Sequence, residues 1–328
     1  MSVEPVFKEF GSIYLQSYLE PLRPWLDAED VTEILVNREQ EIWVERIGAA
    51  NMERHEVAEL DASLLTRLSH QIARSSFQGI NRETPLLSAT LPGGVRVQII
   101  SPPATRNGVA VAFRKHVLTD VDVRQFLAQT SFAPAASYAD DKLHMEKLVA
   151  LGDIAALLDF VVARRKTVLI SGGTSSGKTT LLNALLKEIP QTERLVVIED
   201  TPELRFAHPN AIGLVAVAGN QGEAMVTTDD LMRASLRMRP DRLIVGELRG
   251  PEVITFMRAI NTGHPGSFAS IHASSTQGAL EQLSLMCLQA GLGLSREDTM
   301  SYTRSMIDVV IQLRRESGQR FFEDIAIL

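Results

Sequence analysis

The run Gly172-Gly173-Thr174-Ser175-Ser176-Gly177-Lys178-Thr179 constrains this chain more than any other feature. It fills every fixed position of the pattern G-x-x-x-x-G-K-[ST]. It also lies between a short continuous apolar stretch, Thr167–Ser171, and a segment of helical spacing, Lys178–Glu188. A strand that turns through glycines into a helix leaves backbone N–H groups free to wrap phosphate oxygens, and the helix N-terminus adds a favourable dipole. The spacing places Lys178 at the β- and γ-phosphates and the Thr179 hydroxyl on Mg²⁺. Gly172, Gly173, Thr174, Ser175, Ser176, Gly177, Lys178, Thr179 and Thr180 are therefore the expected nucleotide-binding residues, with ATP and Mg²⁺ as cofactors. A fortuitous glycine-rich turn would leave the flanking strand and helix unexplained.

The rest of the chain agrees with that reading. From Glu146 onward helices and strands alternate: helix Leu148–Val162, strand Thr167–Ser171, helix Lys178–Glu188, strand Leu195–Ile198, helix Thr228–Met238 stopped before Pro240, strand Arg242–Gly246. A helix opened by Pro251 with Gly263 past its end, strand Ser267–Ile271 and helix Thr276–Ala290 follow. Such alternation predicts a doubly wound parallel sheet. The segment up to Lys115 differs. Glu33–Asn37 and Glu41–Glu45 read as paired strands, Leu60–Ser75 as a helix, and Val95–Ile100 and Val109–Phe113 as further strands. The expected organisation is a smaller N-terminal α+β domain over 1–115, a linker over 116–145 where Ala, Ser and Asp accumulate, and an α/β P-loop domain over 146–328.

Chemistry in an open α/β sheet gathers at the carboxyl ends of the strands. Glu199-Asp200 follows strand Leu195–Ile198, Glu247 follows strand Arg242–Gly246, and His272 follows strand Ser267–Ile271. A Walker-B strand usually ends in Asp; here Gly246 takes that place, so Glu247 inherits the hydrated Mg²⁺ or the attacking water. Glu199 is the second candidate for polarising water, and His272 is a candidate sensor of the γ-phosphate. His264 reads as a brace for its own loop. The expected catalytic set is Lys178, Glu199, Glu247 and His272, with Thr179 and Glu247 at the metal.

Composition removes several alternatives. A net charge of -7 and a pI near 5.6 argue against a basic coat for gripping nucleic acid. The single cysteine, Cys287, excludes an internal disulfide and a cysteine-built zinc site, fits a reducing cytosol, and reads as a small buried hydrophobe. Met1–Glu20 carries acids and lacks the apolar run of a signal peptide, and no stretch approaches the ~20 apolar residues of a membrane span. Membrane association is expected to be peripheral or through partners.

Taken together, four segments resemble the secretion ATPase superfamily of type II and type IV secretion, pilus dynamics and conjugation. Gly172–Thr179 is its Walker A box, and Val197-Ile198-Glu199-Asp200-Thr201-Pro202-Glu203-Leu204 is similar to its Asp box. Arg239–Arg249 is similar to its Walker B box and Gly263–His272 to its His box. Arg258-Ala259-Ile260-Asn261-Thr262-Gly263-His264-Pro265-Gly266, with Ile271-His272-Ala273, resembles the type IV secretion traffic ATPases most. The resemblance is strong from Glu146 to about Arg315 and weak in the N-terminal domain. It implies a RecA-like ATPase domain beside a PAS-like first domain, a homohexameric ring, and ATP hydrolysis coupled to protein or DNA secretion. It further implies a cytoplasmic, peripheral position at a bacterial inner membrane, with inner-membrane components and other ATPases of the machine as partners. First-domain arginines approach the phosphates in this family; Arg82, Arg96 and Arg114 are the candidates, with Arg114 taken as nucleotide-binding.

Three other readings compete. A pilus-assembly ATPase of the same superfamily shares the His-box wording but usually has a longer N-terminal region. A RecA-like nucleic-acid motor would use Arg233, Arg237, Arg239 and Arg242 to line a pore. The acidic balance and the i,i+4 spacing of Arg233 and Arg237 disfavour it, and no specific nucleic-acid binding is expected. A ring scaffold that binds ATP without cycling is the last.

Overall fold

A computed structural model of the chain describes residues 13–116, 122–124, 127, 138–217, 224–291 and 293–328. Its N-terminal domain is an antiparallel sheet of β1 (Val31–Arg38), β2 (Glu41–Arg46), β3 (Glu53–Glu56), β4 (Leu86–Thr90), β5 (Arg96–Ile100) and β6 (Ala110–Arg114), in the order β3-β2-β1-β6-β5-β4. Helix Ala62–Ser75 covers one face. Asp61 starts it by accepting the Leu64 N–H at 2.7 Å, and Leu65, Leu68 and Ile72 fall on the buried side. They pack with Leu15 and Leu19 against Val36, Val44 and Phe113.

The larger sheet comprises β7 (Val168–Gly172), β8 (Leu195–Glu199), β9 (Ala211–Val215), β10 (Arg242–Val245), β11 (Phe268–Ile271), β12 (Val309–Glu316) and β13 (Gln319–Ile327). Their order is β13-β12-β7-β11-β10-β8-β9; β12 to β9 run parallel, and β13 returns antiparallel along β12. Strands β7, β8, β10 and β11 are buried throughout, so both faces must be apolar. Alternate residues serve the two faces. Leu169, Val196, Leu243 and Ala269 meet Met232, Phe256 and Leu283. Val168, Val197, Ile244 and Phe268 meet Leu157, Val161, Leu182 and Leu185. The fold is thus the doubly wound α/β sheet with a smaller α+β domain that the sequence predicts.

Some elements differ from expectation. The helix read as Leu148–Val162 is two, Tyr138–Leu151 and Ile154–Ala163. Gly152 adopts φ +69°, which ends the first, and Asp153 accepts the Ala156 N–H at 3.1 Å, which starts the second. The first helix begins inside the stretch read as a linker, most of whose remaining residues lie outside those described. The helix read as Thr228–Met238 stops at Ser235, and the Met238 carbonyl accepts instead from the buried Arg194 guanidinium at 2.7 Å. Strands β9, β12 and β13 and helix Arg296–Met306 add to the predicted set.

The two sheets share contacts. Residues 101–109, between β5 and β6, run along the outer edge of β9: Thr105 bridges Leu214, Arg106 N–H donates to Gly213 at 3.0 Å, and Val215 N–H donates to Ala104 at 3.0 Å. Asn37 of β1 donates to Asn210 at 3.0 Å and accepts from Arg194 at 2.7 Å. Glu45 pairs with Arg239. Leu35, Trp43 and Ile100 join the core around β9 and β10.

Candidate active site

The loop after β7 has the shape its glycines allow. Gly177 sits at φ +106°, and a Cβ there would lie 2.9 Å from Arg320 Cδ. A Cβ on Gly172 would lie 2.7 Å from the Leu313 carbonyl oxygen. Helix Lys178–Glu188 then begins with no side-chain cap, so its first N–H groups have no intrahelical partner and face the loop's concavity. Lys178 is buried, and its ammonium donates to the carbonyls of Gly172 (2.8 Å) and Gly173 (3.1 Å) and to His272 Nδ1 (3.2 Å). Burial lowers its pKa from the ordinary value, with the Arg249 charge adding to that and the Glu247 charge opposing it.

β7, β11 and β10 are neighbours, so their carboxyl ends bring Lys178, His272 and Glu247 together although 94 residues separate the first two. An ammonium can only donate, so His272 Nδ1 accepts from it and Nε2 carries the proton. That Nε2–H faces Glu247 Oε1 at 3.3 Å, and the other Glu247 oxygen accepts from Arg249 at 2.8 Å. Burial pushes the Glu247 carboxyl up, but the Arg249 hydrogen bond and the charges of Arg249 and Lys178 outweigh it and hold the group below its ordinary value. Glu247 is therefore an anion at neutral pH, oriented from both sides. Gly246 is small for a reason: a Cβ there would come within 2.9 Å of Glu199 Cγ.

Glu199 occupies a different environment. It is 3% exposed, pairs with Arg106 of the N-terminal domain, and accepts the N–H groups of Glu203 and Leu204, both at 2.8 Å. Its carboxylate ties down the turn that follows β8. That turn carries Glu203, which accepts from the Thr179 hydroxyl at 3.2 Å, and Asp200, which accepts from Arg249 at 3.1 Å and Thr228 at 2.8 Å.

A cleft of about 520 Å³ joins these groups, lined by the loop from Thr174 to Thr180, the turn from Glu199 to Leu204, Glu247, Arg249 and His272. Arg315 and Arg320, partners across the β12–β13 hairpin, form another wall. The donor set fits a magnesium nucleotide. A loop of N–H groups, one lysine and three arginines would meet phosphate charge, and the Thr179 hydroxyl donates to the Glu203 carboxylate, with Glu247 in the same cleft. Mg²⁺ is commonly held by one or two protein oxygens together with phosphate and water, which matches such a sparse set.

The structure brings Lys178, Thr179, Glu199, Glu247 and His272 into this cleft. It does not bring Arg114, which pairs with Glu33 at 3.4 Å and borders a separate groove with Arg96 and Arg237. Arg82 lies in another depression beside His70 and Asn81. His264 donates Nδ1–H to the Ala259 carbonyl at 2.9 Å, bracing its loop. The four arginines of the nucleic-acid reading do not align. Arg233 pairs with Asp229 at 2.7 Å, Arg239 with Glu45 and Asp241, and the buried Arg242 with Glu193 at 2.7 Å; only Arg237 faces the groove. Arg106, Arg315 and Arg320 are additions to the predicted set. The Ser317-Gly318 turn was a readable hairpin signal for the last two, whereas Arg106 had none.

The sequence profile of the family described as Type II/IV secretion system protein matches residues 16–320. A type IV secretion system protein VirB11 from Bartonella henselae is 35% identical over 319 residues, spanning 92% of this chain and 89% of its own length. VirB11 from Brucella suis is 39% identical over 306 residues, spanning 90% and 84%. The type IV secretion system protein PtlH from Bordetella pertussis is 38% identical over 312 residues, spanning 92% and 91%. The crystal structure of the Brucella suis VirB11 ATPase in complex with sulphate superposes with a TM-score of 0.87 at 35% identity, covering 96% of this chain and 97% of that one.

Proposed function

The chain belongs to the Type II/IV secretion system protein family, and from that premise we propose how its cleft hydrolyses ATP and how its copies assemble. It is an ATPase of a type IV secretion system. The observation that carries the catalytic reading is the Lys178–His272–Glu247 chain at the mouths of three adjacent strands. Lys178 exchanges the two loop carbonyls for phosphate oxygens and neutralises charge that grows in the transition state. Glu247, ionised and held by His272 and Arg249, orients the attacking water and accepts its proton. His272 touches both partners, so a change at the phosphate side reaches the carboxylate through one ring. Thr179 and the Glu203 carboxylate it donates to, with Glu247 in the same cleft, would hold Mg²⁺, which when bound would supply positive charge against the phosphates. The Glu199 carboxylate, already engaged by Arg106 and two N–H groups, serves better as an organiser of the Asp-box turn than as a base.

The proposed organisation is an N-terminal domain over 1–115, a linker over 116–145 and the ATPase domain over 146–328. We read the working unit as a homohexamer, cytoplasmic and peripheral at a bacterial inner membrane, bound to inner-membrane components and other ATPases of the machine. No described helix is long and apolar enough to cross a membrane. Closed rings arise from head-to-tail contacts whose rotation closes, and in the proposed ring such a contact sets one copy's surface against the next copy's nucleotide cleft. Arg114 borders a groove away from its own cleft, so its assignment to the phosphates holds only across such a contact. Light scattering with and without a non-hydrolysable ATP analogue tests assembly: a hexamer strengthened by ATP and Mg²⁺ is expected. A protein that stays monomeric at micromolar concentration in both states would overturn the ring.

A further inference from the structure

We infer that Arg106 is a positioning residue, through which the N-terminal domain sets the geometry of the Asp-box turn and hence the competence of the phosphate cleft. The inference rests on the ATPase reading of that cleft. Arg106 belongs to the loop between β5 and β6, and that loop adds itself to the free edge of β9 through backbone hydrogen bonds on both sides of the Thr105–Leu214 bridge. From this anchor its side chain passes over Gly213, where a Cβ would stand 2.5 Å from Arg106 Cδ. It then crosses 5.2 Å from the centre of the Phe206 ring. Its guanidinium ends under the turn, where Nη1 donates to the Leu204 carbonyl at 2.8 Å and Nη2 pairs with Glu199.

Glu199 in turn accepts the N–H groups of Glu203 and Leu204, so one guanidinium and one carboxylate together satisfy both the N–H and the C=O of Leu204. The turn they fix presents Glu203 to the Thr179 hydroxyl and Asp200 to Arg249, and Arg249 is the second anchor of Glu247. A buried carboxylate with its partner removed is costly to keep ionised and leaves the turn without a counter-charge. Planar guanidinium geometry matters here, because two N–H groups must reach two different acceptors at once. Any displacement of the N-terminal domain along β9 therefore moves the Arg106 anchor and loosens the turn. Arg106 touches neither nucleotide-binding loop nor Glu247, so its effect runs through Glu199.

Four variants of the full chain test this: Arg106→Gln, Glu199→Gln, Gly213→Ala, which displaces the arginine stem and keeps its charge, and Arg106→Gln combined with Glu199→Gln. Far-ultraviolet circular dichroism confirms the fold of the whole chain. Arg106→Gln and Gly213→Ala should each lower kcat about tenfold or more with KM within about twofold, the signature of positioning and not of binding. The double variant should be no slower than Glu199→Gln alone, because both changes cut the same link. Amide exchange at Glu203 and Leu204 should accelerate at least about tenfold in Arg106→Gln while β7 stays protected. A folded Arg106→Gln protein with kcat within about twofold of wild type, multiplying losses in the double variant, or unchanged exchange at Glu203 and Leu204 would overturn the inference. Absence of phosphate release by the wild-type chain would instead overturn the ATPase reading, and the exchange measurement would still decide the role of Arg106.

Discussion

Raising the pH should loosen the N-terminal domain through a single carboxylate, Glu33 on β1. This side chain is 5% exposed, and burial pushes it up from 4.5 to about 7, against the opposing pull of Arg114, with the Glu45 charge raising it further and Arg239 and Arg194 lowering it. The folded state therefore holds a proton that the unfolded chain releases near 4.5, and stability must fall as pH rises from there through about 7. A rise of roughly 2.5 pH units at ~1.36 kcal/mol per unit gives about 3 kcal/mol, a sizeable fraction of a domain's stability. Glu33→Gln removes the ionisation and keeps the shape. Both tryptophans, Trp25 and Trp43, lie in this domain, so urea unfolding followed by their fluorescence reads it selectively. The variant's advantage over wild type should grow from under ~1 kcal/mol at about pH 5 to about 3 kcal/mol at about pH 8. Two stability curves that stay parallel between those pH values would refute the reasoning.

Two further outcomes concern the cleft. Lys178→Ala should abolish turnover, by ~10²-fold or more, with the fold intact, because among the described residues no other ammonium lines the cleft; normal phosphate release by a folded variant would remove the P-loop assignment. Glu247→Gln should bind ATP normally yet hydrolyse it ~10²–10⁴-fold more slowly in a phosphate-release assay, and a smaller loss would move the role of base to Glu199.

The sequence alone determined the phosphate loop, the alternation of strands and helices around it, and the residues that end β8, β10 and β11. These are local properties: glycine spacing, apolar runs and periodicity are written within a few residues of where they act. It also placed Glu199 and Glu247 at strand ends, but strand ends look alike in one dimension. Only the tertiary structure separated the two, because burial, the Arg106 partner and two N–H donors engage Glu199, whereas His272 and Arg249 flank a Glu247 open to the cleft. The strand order β7-β11-β10 decided that His272 meets Lys178, a contact no spacing rule contains. The first-domain arginines show the same limit. Nothing local distinguishes Arg106 from Arg82, Arg96 or Arg114; what selects it is the pairing of its loop with the edge of β9 and the missing side chain at Gly213, both set by how the two sheets pack against each other.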